Sequence, residues 1–440
     1  MLRFLLAFQI LYTVYQNHFS YETGIPGINL PNALFILTLV SIYFSRGRDI
    51  VRTPAVLRNA ILLFFAMLTV GFFIAQARAP GNFMADVTYL KNAMFAPLLY
   101  FMYLHCKQDR KTTRLLIIAI MVVAAIAGVQ AIRQAFDYGI GSFVESHRAS
   151  GPFGEDYHNA NRAGVYFAIF LPMFISLALF LHKDLRWRVA ALGGIALLVV
   201  ALLFTYSRQA YFIALFGLVL LLLRRSLVLA VVLGSSLIFL AAYLPESVVQ
   251  RVEETQQQGS HGEAAVDEST ASRWEIWAGA LAMWQNNPMG VGLNRFKDEI
   301  GHYSAFQHFD AHNFYVLTLA ECGPQGLIAL LLLVAATFRL GAQLRRSANA
   351  NPADPESRAL AIGFSVTAVC MALGSLYGSP FLENDVMGDF WILAGLLERY
   401  MRLNAVPAAV PAERTQTTRE LMLERFPLAG GARTFPARRP

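Results

Sequence analysis

Three features of the sequence predict an all-α, polytopic integral membrane protein. Of 440 residues, 56% are hydrophobic and only 15% charged, whereas soluble domains carry about 25% charged residues. Lipid must solvate that apolar excess. The apolar residues also gather in runs of roughly 15 to 25, the length of a bilayer-spanning helix. Finally, runs such as Ile195 to Phe204 are continuously apolar and lack the alternation, over about 10 residues, of an outer-membrane barrel strand.

In chain order, the runs predict about 12 transmembrane helices, beginning near Leu2, Pro31, Val56, Asp86, Thr113, Asn161, Val189, Arg208, Ser226, Asn313, Ala359 and Met387. The first, LRFLLAFQILYTVY, has one arginine ahead of an apolar stretch, as a signal peptide does. No small-x-small cleavage site follows before Asn17 and His18, so a retained helix is expected. Two larger polar insertions interrupt the series, at about 135–160 and 244–311. The longer one opens as ETQQQGSHGEAAVDEST and continues as SRWEIWAGALAMWQNNPMGVGLNRF. In the second stretch Trp274, Trp277, Leu281 and Trp284 recur at spacings of three and four, which predicts an amphipathic helix from Arg273 to Gln285. Tryptophans at headgroup level explain that stripe more simply than stacking on sugars. Residues 1–402 thus read as one transmembrane domain. Residues 403–440, rich in alanine, proline and arginine, read as a disordered cytoplasmic tail. Cys106, Cys322 and Cys370 lie at or inside spans and are odd in number, which favours packing over a disulfide framework.

Charge supplies the orientation. Lysine and arginine cluster in alternate loops: Arg46, Arg48, Arg52 and Arg58; Lys107, Arg110, Lys111 and Arg114; Lys183, Arg186 and Arg188; Arg224 and Arg225; Arg339, Arg345, Arg346 and Arg358. With Arg3 and the basic C-terminal region these are most of the 36 basic residues. By the positive-inside rule they are cytoplasmic, as are both termini, and the two large loops are periplasmic. The net charge of +7 is therefore an orientation signal. Without a basic patch interleaved with stacking aromatics, nothing points to nucleic acid. Asp86, Glu383, Asp385 and Asp389 read as ordinary charges of the periplasmic boundary, and no inverted repeat suggests a transporter.

A few cations defy the rule. Counting from the cytoplasmic arginines at about 1.5 Å per residue places Lys91, Arg133, Arg162 and Arg208 between about 24 and 31 Å, near the outer edge of a hydrocarbon core of about 30 Å. Snorkelling to headgroups accounts for any one of them. Four at one depth, on the disfavoured face, point to an anionic substrate, to which arginine's planar fork donates paired hydrogen bonds. In the loop HRASGPFGEDYHNANRAG, His147 and His158 read as solvated loop residues.

The tenth run opens on the densest chemistry. His312 is followed by Asn313, nine residues, Gly323, two residues and Gly326. That pattern, with Ser207 and Arg208 at a span entrance, Arg273 in the large loop, and Asn287, Pro288, Gly290, Val291, Gly292 and Phe296, resembles the O-antigen ligase family. The broader group includes O-antigen polymerases and O-linked oligosaccharyltransferases. The resemblance implies a glycosyltransferase at the periplasmic face of the bacterial inner membrane. It would carry a glycan from undecaprenyl pyrophosphate to a sugar hydroxyl of the lipid A core, with no cofactor or metal and with inversion at the anomeric carbon. His312 would be the general base, since its near-neutral pKa suits that work. Arg208 and Arg273 would neutralise the departing pyrophosphate.

Arg148, Arg162, Lys91, Asn313 and Glu321 stand as further candidate substrate contacts, with pairing to a basic residue the simpler role for Glu321. Gly323, Pro324 and Gly326 suit either a bend or close helix packing. HFDAH spaces two histidines for zinc only if that turn is helical, and it lacks the glutamate of HExxH. A straight count up from Arg339 places His312 near 40 Å, roughly 10 Å above the hydrocarbon edge and above Arg208.

Overall fold

Each of the twelve apolar runs forms a helix that starts within about one turn of its expected residue. The computed structural model describes residues 1–19, 29–47, 53–139, 144–154, 156, 159–181, 185–241 and 268–405, and among these there is no strand. The helices are α1 (Leu2–Tyr15), α2 (Leu30–Tyr43), α3 (Arg58–Arg78), α4 (Phe83–Leu104), α5 (Arg110–Tyr138), α6 (Ala160–Phe180), α7 (Leu185–Phe204), α8 (Arg208–Arg225) and α9 (Leu227–Ala241). They continue as α10 (Glu268–Asn286), α11 (Phe296–Glu299), α12 (Phe314–Ala350), α13 (Pro355–Gly374) and α14 (Asn384–Ala405). Six of them, α3, α5, α6, α7, α12 and α13, are long and apolar enough to cross a membrane. At 14 residues each, α1 and α2 extend only about 21 Å. Residues 20–28, 242–267 and the tail beyond Ala405, where part of the large loop and the expected disorder fall, lie outside the described residues.

The bundle has an inner and an outer set of helices. α6 is buried on nearly every side, and α13 and α14 pack around it and α4. α3 and α7 bury only a third of their apolar spans and turn side chains such as Phe73 and Val189 outward, as lipid permits. Small residues set the closest approaches, because without a side chain two backbones can pack directly. A Cβ on Gly388 of α14 would lie 2.1 Å from Thr13 of α1, and one on Gly395 would lie 2.4 Å from the Tyr100 carbonyl. α1 is therefore built into the bundle, and the Tyr103 hydroxyl donates to its Leu6 carbonyl. The three cysteines are free and buried.

α10 matches the expected amphipathic helix. Ile276, Ala280 and Met283 form the buried face, whereas Trp274 and Leu281 are 63% and 46% exposed. Trp274 thus points away from the protein, the direction a headgroup contact requires, whereas Trp277 is half-buried against the bundle.

Candidate functional site

Gly323 reverses the course of α12. Its backbone is non-helical (φ 68°, ψ −173°), and Pro324 follows it. Below the break α12 runs antiparallel to α3: Leu332 and Leu63 line one cleft, and a Cβ on Gly71 would lie 2.7 Å from Cys322 Sγ. A straight helix would carry Phe314 about 12 Å further, beyond Gly71. Instead the Phe314 ring lies 6.4 Å from that of Phe64, on the inward side. A Cβ on Gly326 would also come within 3.4 Å of Thr318, two turns away in sequence. Residues 314–322 therefore fold back alongside the rest of α12. Non-helical backbone at this depth is tolerated because protein surrounds it.

That reversal corrects the height expected for His312. The Phe314 N–H donates to the Ser375 and Gly378 carbonyls at 2.9 and 3.0 Å, at the end of the 20-residue α13. His312 consequently sits near the outer end of an ordinary span of about 30 Å.

The turn at Gly323 is locked by the segment that precedes the histidine. Pro324 has no N–H to offer the Ala320 carbonyl, which accepts instead from Val291 N–H at 2.9 Å; the Glu321 carbonyl accepts from Gly292 N–H at 3.0 Å. Gly290 and Gly292 adopt φ of 94° and 108°, and a Cβ on either would lie 2.3 Å from the Glu321 carbonyl oxygen or 2.5 Å from the Ala75 backbone. The Glu321 side chain is buried and accepts from Phe296 N–H at 3.2 Å. Its bonded partner is thus a backbone donor at the start of α11, where a basic side chain was expected. Arg78 closes the far end, donating to Gly290 O and Asn287 Oδ1 at 3.3 and 2.5 Å.

His312 itself lies in an irregular turn with φ 48°, and its N–H donates to Asp310 Oδ1 at 3.1 Å. His308 also has positive φ, so the two histidines do not share a helical face. The Trp277 indole donates to the Ala311 carbonyl at 2.8 Å, which fastens the turn to α10. Arg273 is one turn upstream of Trp277 and hence on the same side of α10. Asn313 caps α12 by accepting from Tyr315 and Val316 N–H at 3.0 and 3.2 Å.

The expected cations separate into two groups. Arg148 is buried and ties three strands of chain together, donating to Thr205 O at 3.0 Å, Glu145 Oε1 at 3.0 Å and Asn161 Oδ1 at 2.6 Å. This brings the start of α6, with Arg162, against the start of α8, with Arg208; a Cβ on Gly164 would lie 3.0 Å from Ser207 Cβ. Beside Arg208 the buried Ser207 hydroxyl has no hydrogen-bond partner among the described residues. Arg162 pairs with Glu383 at 2.8 Å. Burial pushes the Glu383 carboxyl upward, Arg162 opposes the rise, and Asp385 and Asp310 add to it. Arg162 and the turn before His312 therefore share one electrostatic neighbourhood. Arg133 falls outside it, 83% exposed and 3.9 Å from Asp137. Lys91, midway along α4, is half-buried and has no ion-pair partner among the described residues.

The carboxylates expected to be ordinary boundary charges are integral to the fold. Asp86 receives both nitrogens of Arg295, at 2.7 and 2.5 Å, together with Asn294 and Gln76. Both partners are nearly buried. Asp385 accepts from Asn17, and Asp389 from the Tyr166 hydroxyl. Arg295 was missed as a functional residue, although its place in the sequence between the Gly-Val-Gly turn and Phe296 marked it as part of the docked segment.

The sequence model of the family described as O-Antigen ligase matches residues 193–334, about a third of the chain. The match takes in Arg208, Arg273, the docked 287–296 segment, His312 and the reversing turn; Lys91, Arg148 and Arg162 lie before it. A search of curated proteins finds no match to the chain. A multi-pass helical bundle that carries this match supports membership of the O-antigen ligase and polymerase family.

Proposed function

We propose that the protein is an O-antigen ligase, transferring a glycan from undecaprenyl pyrophosphate to a sugar hydroxyl of the lipid A core at the periplasmic face of the inner membrane. The observation that carries this reading is the shared surroundings of His312 and the arginines. Asp310, in the turn holding His312, and Arg162 both act electrostatically on Glu383, and Arg162 and Arg208 open adjacent, close-packed helices. These neighbourhoods support a reading in which a general base and anion-binding side chains act on one region near the membrane boundary.

In the reaction, an imidazole nitrogen of His312 takes the proton of the acceptor hydroxyl as its oxygen bonds to the anomeric carbon. The bond from that carbon to the pyrophosphate oxygen breaks with its electron pair. Arg208 and Arg273 stabilise the charge that develops there. Attack opposite the leaving group inverts the anomeric carbon, and His312 then returns its proton to water.

Polymerase activity is the nearest competitor, because it uses the same lipid pyrophosphate donor. A strain lacking the gene decides between them. Loss of every glycan-bearing lipopolysaccharide band, with accumulation of lipid-linked polymer, is the expected result. Survival of a band carrying a single repeat would assign polymerase activity instead.

A further inference from the structure

α3 and α12 touch near Gly71 and Cys322 but part toward the opposite ends, leaving a cleft of about 730 Å³. Small side chains make the space: Ala60 on α3 faces Ala335 and Ala336 on α12. The lining changes along its length. Leu63 and Leu332 lie at the deep end, and Asn59, Arg339 and Gln343 lie nearer the helix ends. Arg339 and Gln343 are one turn apart on the same face of α12. Neither has a hydrogen-bond or ion-pair partner among the described residues. The neighbouring Arg402 differs, since its fork is held by Glu398 and by Thr53 and Pro54.

We infer that this cleft binds an anionic glycerophospholipid of the cytoplasmic leaflet, its acyl chain between Leu63 and Leu332 and its phosphate at Arg339 and Gln343. Three physical features select that occupant. Leu63 and Leu332, at the apolar part of the cleft, are both exposed on the surface of the bundle, so an acyl chain reaches them without crossing water. The mouth carries an arginine that no carboxylate among the described residues neutralises, and basic pockets between transmembrane helices at this face take anionic headgroups. Arg339 also belongs to the clusters that the positive-inside rule places in the cytoplasm, the depth of the inner-leaflet phosphates. The site lies at the far end of α12 from His312 and does not depend on the proposed transfer reaction.

Native mass spectrometry of the full-length protein, released from micelles doped with either phosphatidylglycerol or phosphatidylcholine, tests the inference. Wild type should retain phosphatidylglycerol in preference to phosphatidylcholine. Arg339→Gln should lower that retention about fivefold, since one such arginine contributes about 1 kcal/mol toward an anionic lipid, and should leave phosphatidylcholine unchanged. Ala336→Trp should fill the cleft and lower the retention of both, with the thermal midpoint reporting whether the variant is folded. Equal retention of the two lipids by wild type, or unchanged phosphatidylglycerol retention by Arg339→Gln, would overturn the assignment, and the Arg339→Gln comparison decides it even if Ala336→Trp fails to fold.

Discussion

His312→Asn is expected to lower glycan transfer by about 10²- to 10⁴-fold, the usual contribution of a positioned general base, while the protein still folds in the membrane. Asparagine is the informative replacement because His312 has φ 48°. That region strains most residues but is tolerated by asparagine. His312→Ala would add backbone strain to the loss of the imidazole. The turn has supports other than the ring: the Trp277 indole on Ala311, the Asp310 carboxylate on the His312 N–H and the Phe314 N–H on α13. A variant with a wild-type thermal midpoint and no transfer places the loss in the chemistry. Near-normal turnover by His312→Asn would remove the histidine from that role.

Breaking the Asp86 and Arg295 pair should give the largest loss of stability. Both side chains are nearly buried, and the two nitrogens of Arg295 meet the two oxygens of Asp86. Removing one partner strands the other charge away from water, at a cost of about 3–5 kcal/mol. Asp86→Ala and Arg295→Met should therefore each lower the thermal midpoint in detergent sharply. The double variant should be less destabilised than the sum, because neither leaves an unpaired charge in it. The pair also joins α4 to the segment that locks the reversal at Gly323, so the single variants should lose transfer along with stability. Additive effects in the double variant would mean that the two charges are not coupled.

The positions of the helices were legible because uninterrupted apolar runs have few other ways to satisfy their backbone polar groups in lipid. The interlock was half legible. Gly323, Pro324 and Gly326 announced a disturbance in α12, and Gly290 and Gly292 announced a tight turn, but no local pattern says that one docks onto the other. The reversal had a further consequence. Counting residues along a helix measures height only while the helix is straight, so the count from Arg339 carried His312 too far outward. Pairings such as Asp86 with Arg295, 209 residues apart, leave no local signature. Asp86 near a span entrance looks the same whether it meets water or a buried guanidinium. The tryptophan stripe of α10 was legible as a stripe, yet in a membrane an apolar face can turn to lipid as readily as to protein. Arg208 was singled out by its depth and its match to the family, and Arg273 and His312 by that match, whereas the pairing of Glu383 with Arg162 emerged only from packing.

The central claim is tested most directly with the purified, reconstituted protein, an undecaprenyl-pyrophosphate-linked glycan and a lipid A core acceptor, in buffer containing a chelator. The account predicts glycosylated acceptor with an inverted anomeric centre, release of undecaprenyl pyrophosphate in equal amount, and neither product from His312→Asn. Retention of anomeric configuration, or transfer that stops with chelator and returns with added metal, would contradict it.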